Sequence, residues 1–255
     1  MIPPPLSTPK DGERLQVALA RFGLASRRGV VDLIESGKVT VNGRVVREKG
    51  FRVDTTRDEI RVEGSELPAG AGQKKVYFAF HKPKGVMTTL QDPHAERTVA
   101  DFFKDTTERV FPVGRLDRDT TGLLLLTNDG ELAFRLTHPK FGVKKRYRAR
   151  VRGAVTDPQL KELEAGVDLE EGRTAPCQMH VERRTVKETV LTVVLHEGKK
   201  RQIRRIFQKT GHFVLELERL GYGPVLLGDM RSGEKRRLAD REVKALYEAA
   251  GLVRQ

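Results

Sequence analysis

The chain has 255 residues, enough for a sizeable core and one or two domains. Its 48 Lys and Arg against 35 Asp and Glu leave a net charge of +13, which attracts polyanions and points to nucleic acid or an anionic membrane surface. No apolar run of about 18 residues is present, so nothing reads as a membrane span. A single cysteine, Cys177, excludes an internal disulfide framework, and six scattered His offer no metal-ligand spacing. The N-terminus lacks a basic-then-apolar leader pattern, so a cytoplasmic protein is expected.

Residues 1–12 hold four of the twelve prolines and read as a disordered tail. From Glu13 the pattern turns helical, with Leu15, Leu19 and Phe22 in phase and Gly23 placed to stop the helix. Ser26 is suited to cap a second helix carrying Val30, Leu33 and Ile34, which Gly37 ends. Val39 and Val41 then alternate ahead of Asn42-Gly43, a strong tight-hairpin signal. "FRVD" and "DEIRVEG" add two short strands. Residues 13–65 thus make one compact unit, and 66–75, with alternating Gly and no periodicity, a linker.

Residues 76–255 mix helical and strand periods. "VYFAF", "VFPVG", "LLLLT", "RYRARVR" and "TVLTVVLHEG" read as strands. "TVADFF", "ELAFRL", "DPQLKELEAGV", "KKRQIRRIFQKTG" and "DREVKALYEAAG" read as helices. Strands and helices do not alternate strictly, so the class is α+β rather than a doubly wound parallel sheet.

Four stretches carry possible chemistry. In the N-terminal unit, helix and hairpin ends bring Arg27, Arg28, Lys38 and Arg44 forward, a set suited to a phosphate backbone. In "KKRYRARVR", strand alternation puts Arg146, Arg148, Arg150 and Arg152 on one face and Tyr147, Ala149 and Val151 on the other. The basic face is either a phosphate track or a solvated edge that discourages strand pairing. In "EGKKRQIRRIFQKTGH", Ile203, Ile206 and Phe207 form a core stripe ringed by Arg201, Arg204, Arg205 and Lys209. Arg204, at the buried boundary, needs a carboxylate partner.

The fourth stretch, "GRLDRDTTGLLLLTNDG", offers Asp117 and Asp119 just ahead of a buried strand. Two carboxylates suit general acid–base work or a metal. No third ligand stands nearby in sequence, which discounts the metal, and the Gly-Lys-Ser/Thr ending of a phosphate loop is missing. The plain alternative is that Asp117 caps a turn and Asp119 pairs with an Arg.

Together "HKPKGVMTT", "VGRLDRDTTGLLLLTNDGEL", "KKRYRARV" and "EGKKRQIRRIF" stand in the order seen in bacterial pseudouridine synthases of the RsuA type, which act on uridines of ribosomal RNA. The resemblance spans residues 13 to about 245, and residues 13 to about 62 resemble an S-four type RNA-binding module. It implies a catalytic domain built on a mixed, mostly antiparallel sheet flanked by helices. It also implies Asp117 as nucleophile, Arg115 filling the space a flipped uridine leaves, and Tyr147 stacking on the base. Arg204 would pair with Asp117, beside Ile203 as pocket wall, while Asp119 would be structural and help Arg118 tie the loop together. Arg201 and Arg205, with Arg146 and Arg148, would contact RNA. No metal or other cofactor is implied. The partner would be ribosomal RNA, with the large subunit favoured, or an assembling ribosomal particle, met by a monomer. A non-catalytic assembly factor and a small-subunit target remain the alternatives. A membrane-surface role is set aside for want of a strongly amphipathic basic helix.

Overall fold

The computed structural model describes residues 12–24, 27–67, 74–90 and 92–253. The expected tail up to residue 11, the Ser26 cap and residues 68–73 of the expected linker lie outside these. The chain divides into two compact units between Lys75 and Val76.

In the first unit, β1 (Glu13–Arg14) pairs with the later strand at Arg52–Val53, so helix α1 starts at Leu15 and runs to Arg21. Gly23 takes φ 78°, the left-handed value that a helix stop favours. Helix α2 (Arg27–Glu35) leads to β2 (Val39–Val41) and β3 (Arg44–Val45). The turn between them has φ 51° at Asn42 and 75° at Gly43, the positive pair that matches strand twist in a two-residue hairpin. β4 (Arg52–Val53), β5 (Ile60–Val62) and β6 (Ser65–Glu66) follow, and the sheet runs β3-β2-β5-β6. Leu15, Leu19, Val30, Ile34, Val39, Val41 and Ile60 share its core.

The second unit begins with β7 (Tyr77–Lys82), then a single 3-10 turn at Val99–Phe102. "TVADFF" had suggested a helix; the turn closes after one round, with Asp101 accepting from the Thr98 amide at 2.8 Å. β8 (Phe111–Pro112), β9 (Thr121–Thr127), α3 (Gly130–Thr137), β10 (Lys145–Arg152) and α4 (Asp157–Glu164) follow. The short pair β11 (Asp168–Leu169) and β12 (Gly172–Arg173) precedes β13 (Gln178–Arg184) and β14 (Glu188–Leu195). Last come α5 (Gln202–Lys209), β15 (Val214–Tyr222), β16 (Val225–Leu226), β17 (Lys235–Arg237) and α6 (Asp240–Ala249).

Among the described residues these strands, apart from the separate β11-β12 pair, form one nine-stranded sheet, ordered β13-β14-β10-β15-β9-β7-β17, with β8 beside β9 and β16 beside β15. All its pairings are antiparallel except β15 with β9. The four consecutive leucines of β9 serve both faces of this sheet. Leu124 and Leu126 pack with Phe78, Phe80, Tyr147, Ile203 and Phe207, while Leu123 and Leu125 pack with α3 and α6 through Leu132, Leu136, Val243 and Leu246. A strand buried on both faces reads as a continuous apolar run, and this one does.

Helix α5 corrects one expectation. It is strongly amphipathic and basic, but its apolar face (Ile203, Ile206, Phe207) is buried in the core rather than free for a membrane surface. Among the described residues no helix is long and apolar enough to cross a membrane.

Candidate active site

Asp117 and Asp119 sit on the loop that leads into β9, and this loop is braced from the segment after β7. The Gly85 amide donates to the Arg118 carbonyl at 2.8 Å, and Thr88 Oγ1 donates to the Leu116 carbonyl at 2.7 Å. Lys82 Nζ donates to the carbonyls of Pro83 (2.9 Å) and Val86 (2.8 Å), with Arg118 O at 3.5 Å. The loop is therefore held through the Arg118 carbonyl; its guanidinium is exposed and has no carboxylate partner among the described residues. That corrects the expectation that the Arg118 side chain ties the loop.

Helix α5 supplies the cations, in an arrangement that differs from the expected one. Arg204 Nη2 lies 3.0 Å from Asp119 Oδ2, and its guanidinium also donates to the Asp119 and Val214 carbonyls at 3.3 and 2.9 Å. The expected partner, Asp117, is not in hydrogen-bonding reach of Arg204. Arg201 reaches both acids, with Nη1 at 3.2 Å from Asp119 Oδ1 and 3.8 Å from Asp117 Oδ2. Burial pushes the Arg204 pKa down, and the Asp119 charge partly restores it. Burial works against ionised Asp119, but the Arg201 hydrogen bond and the charges of Arg204 and Arg201 outweigh it and hold its carboxyl below the usual range.

Tyr147 points inward from β10, as its alternation required, into the same apolar cluster as Leu116 and Ile203. Arg219 of β15 stands against it, with Nη1 3.4 Å from the Tyr147 hydroxyl and its charge centre 5.9 Å from the ring centroid. Arg219 is only 2% exposed, donates from Nε to the Leu123 carbonyl at 2.6 Å, and stacks 4.9 Å from the Tyr222 ring. Gly122 makes this packing possible. A Cβ there would meet the Arg219 backbone O at 2.4 Å and N at 2.5 Å, at a φ of 102°.

Arg219, Lys82 and Lys145 form a group that sequence reasoning missed. All three are buried in the second unit. Burial pushes the Lys82 pKa down to about 8 against the pull of Asp119 and Asp117, with Arg219 adding to the drop. Burial, then Arg219, pushes Lys145 down to about 8 as well. A signal was present in the sequence. Lys82 continues the Phe78, Phe80 phase, Lys145 opens the Tyr147, Ala149, Val151 phase, and Arg219 follows Leu215 and Leu217. Each is a cation where strand alternation calls for a core residue.

The expected RNA contacts divide into two groups. Arg28, Arg44, Arg115 and Arg146 have no carboxylate partner among the described residues, and Arg28, Arg115 and Arg146 are exposed. Lys38 pairs with Glu63 at 2.6 Å, Arg148 with Glu182 at 2.9 Å, and Arg205 with Glu171 at 2.7 Å. Arg150 bridges Glu188 (3.1 Å) and Glu216 (2.5 Å), so much of the basic face of β10 is neutralised. The Arg27 side chain lies outside the described residues.

Comparison with known proteins supplies the class. A family model described as RNA pseudouridylate synthase matches residues 76–209, and one described as S4 domain matches residues 13–60. The chain is 44% identical over 236 residues to the ribosomal large subunit pseudouridine synthase B of Bacillus subtilis, covering 92% of this chain and 95% of that protein. It is 40% identical to an uncharacterized RNA pseudouridine synthase of Aquifex aeolicus, covering 94% and 95%. A crystal structure of pseudouridylate synthase superposes with a TM-score of 0.66 at 28% identity, covering 91% of this chain and 99% of that one. Fold and family matches thus define an isomerase that works on RNA, with an RNA-binding S4 domain ahead of its catalytic domain. The chain belongs to the RNA pseudouridylate synthase family.

Proposed function

We propose that this protein converts a uridine of large-subunit ribosomal RNA to pseudouridine, with Asp117 as the nucleophile. The observation that carries the reading is the braced loop at the head of β9, which holds Asp117 half-exposed beside Arg201 while its neighbour Asp119 is anchored to Arg204. The large subunit enters through the names of the Bacillus subtilis and Pseudomonas aeruginosa relatives, both ribosomal large subunit pseudouridine synthase B.

The target base must leave its stack to reach the loop. Asp117 forms a transient covalent bond to the nucleotide, the bond between ribose C1′ and uracil N1 breaks, and the base turns. C5 then bonds to C1′, the bond to Asp117 breaks and returns its electron pair to the free carboxylate, the C5 proton leaves to a base, and N1 gains a proton, so atoms and electrons balance without a redox partner. Arg115, exposed and uncommitted, fills the vacated place in the RNA stack, and Tyr147 offers its ring to the base. Arg204 acts on the loop through Asp119. The S4 domain docks on the RNA backbone, with Arg28 and Arg44 as its uncommitted cations.

The test is conversion of ribosomal RNA by Asp117→Asn protein, with RNA binding measured alongside. Loss of pseudouridine at one large-subunit position with binding retained is expected. Retained conversion removes Asp117 from the mechanism, and a wild-type protein that binds RNA but converts no uridine favours an assembly factor.

A further inference from the structure

Arg201 is the N-cap of α5 and has φ 49°, ψ 34°, the left-handed region. Among the described residues the other non-glycine positions there are Asn42 and Glu63, both in hairpin turns. A left-handed arginine is unfavourable and persists only where its surroundings impose it.

Here the surroundings do so from both sides. Lys199 Nζ donates to the carbonyls of Glu171 (3.3 Å), Gly172 (2.7 Å) and Arg173 (2.8 Å). The Lys199 amide donates to Gln202 Oε1 at 2.9 Å, the Gln202 amide returns to the Lys199 carbonyl at 3.1 Å, and Gln202 Nε2 holds Glu197. With residues 199 and 202 pinned, the chain turns sharply at Arg201. The side chain then lies over the catalytic loop. Among the described residues it is the cation within 4 Å of Asp117, at 3.8 Å, and it holds Asp119 Oδ1 at 3.2 Å as well. Arg204, the other candidate, is spent on Asp119 and on two backbone carbonyls.

We propose that Arg201 is a positioning residue for Asp117, and that the strained turn exists to hold its guanidinium across the two carboxylates. The inference rests on the reading of Asp117 as nucleophile. A half-exposed ion pair contributes little to stability. Its role is therefore orientation: it fixes which Asp117 oxygen faces the nucleotide.

Three variants test this with the full-length protein and its ribosomal RNA substrate: Arg201→Gly, Arg201→Asn and Arg201→Lys. Gly and Asn both accept the left-handed turn without the guanidinium. The expected result for Arg201→Gly is a melting temperature equal to or above wild type, with kcat down roughly ten- to a hundred-fold and KM within about two-fold. Arg201→Lys is expected to recover part of kcat. Unchanged kcat in Arg201→Gly or Arg201→Asn overturns the proposal. So does a raised KM with kcat retained, which would make Arg201 a phosphate contact. Activity lost only in step with melting temperature would make it structural and overturn it too. If Arg201→Gly does not fold, the same KM and kcat comparison on Arg201→Lys and Arg201→Asn decides. Asp117→Asn separates the two claims. Activity in that variant sinks both, whereas an inactive Asp117→Asn beside a fully active Arg201→Gly sinks only this one.

Discussion

Arg204 closes on Asp119, with Nη2 3.0 Å from Oδ2, and so anchors the aspartate two residues beyond the one in the GRLD segment. The pair divides the labour of the loop: the two carboxylates are about equally exposed (35% and 39%), but Asp119 is held by the nearly buried Arg204 guanidinium, whereas Asp117 meets, among the described residues, only Arg201, at 3.8 Å.

Asp119→Ala therefore strands the Arg204 charge against the core. The cost is expected at about 1–3 kcal/mol, below that of a fully buried pair because Asp119 keeps some solvent contact. Urea denaturation checks it, and Asp119→Ala with Arg204→Met should recover part of the loss. The acid side has a definite sign. The folded carboxyl titrates below its ordinary value of 3.8, so its contribution is complete above that pH and is lost as pH falls through the lower folded value. The variant should lack that part of the acid slope, and identical slopes would refute the assignment.

Lys82 and Lys145 act at the other end of the pH scale. Both are pushed down to about 8 from 10.5. Between those values the unfolded chain keeps protons that the folded protein has released, so their contribution to stability rises with pH over that window. Catalysis should move the opposite way, because the Lys82 ammonium braces the Asp117 loop through Val86, Pro83 and Arg118. Thermal melts and kcat from pH 7 to 10 are expected to diverge in wild type and to diverge less in Lys82→Met. Parallel profiles in the two proteins would mean that Lys82 does not titrate in this range.

Gly122→Ala drives a methyl into backbone atoms of Arg219 that cannot swing aside. A loss of about 2–4 kcal/mol, with reduced conversion, is expected from denaturation and activity measurements. At Gly211 (φ 80°) nothing lies within 4 Å, so Gly211→Asn is the contrasting case and should cost under about 1 kcal/mol. Equal losses at the two positions would show that Gly122 provides a backbone angle rather than space.

Much of the architecture was legible before any coordinates. Asn42-Gly43 made a hairpin because only positive φ joins two strands so tightly, and the alternation in "RYRARVR" put Tyr147 inward and Arg148 outward. Four strands of the nine-stranded sheet had no counterpart among the expectations: β13, the central β15, and the short β16 and β17. In "VLELERLGY" two glutamates and an arginine masked the alternation. The arginine was in phase with the leucines because it is buried, and a buried Arg is the exception that composition argues against.

By itself the amino-acid order determined what depends on near neighbours: helix stops at glycine, the tight hairpin, the inward face of each strand, and the segments that carry the family resemblance. Tertiary structure alone decided which partners meet. Arg204 and Asp119 lie 85 residues apart, and either aspartate was an equally good partner on charge. Lys82, Lys145 and Arg219 come from three strands that are brought together by sheet order and by one parallel pairing at Gly122. Charge and periodicity are properties of residue types, whereas which oxygen a guanidinium reaches depends on backbone paths that only the packed sheet defines.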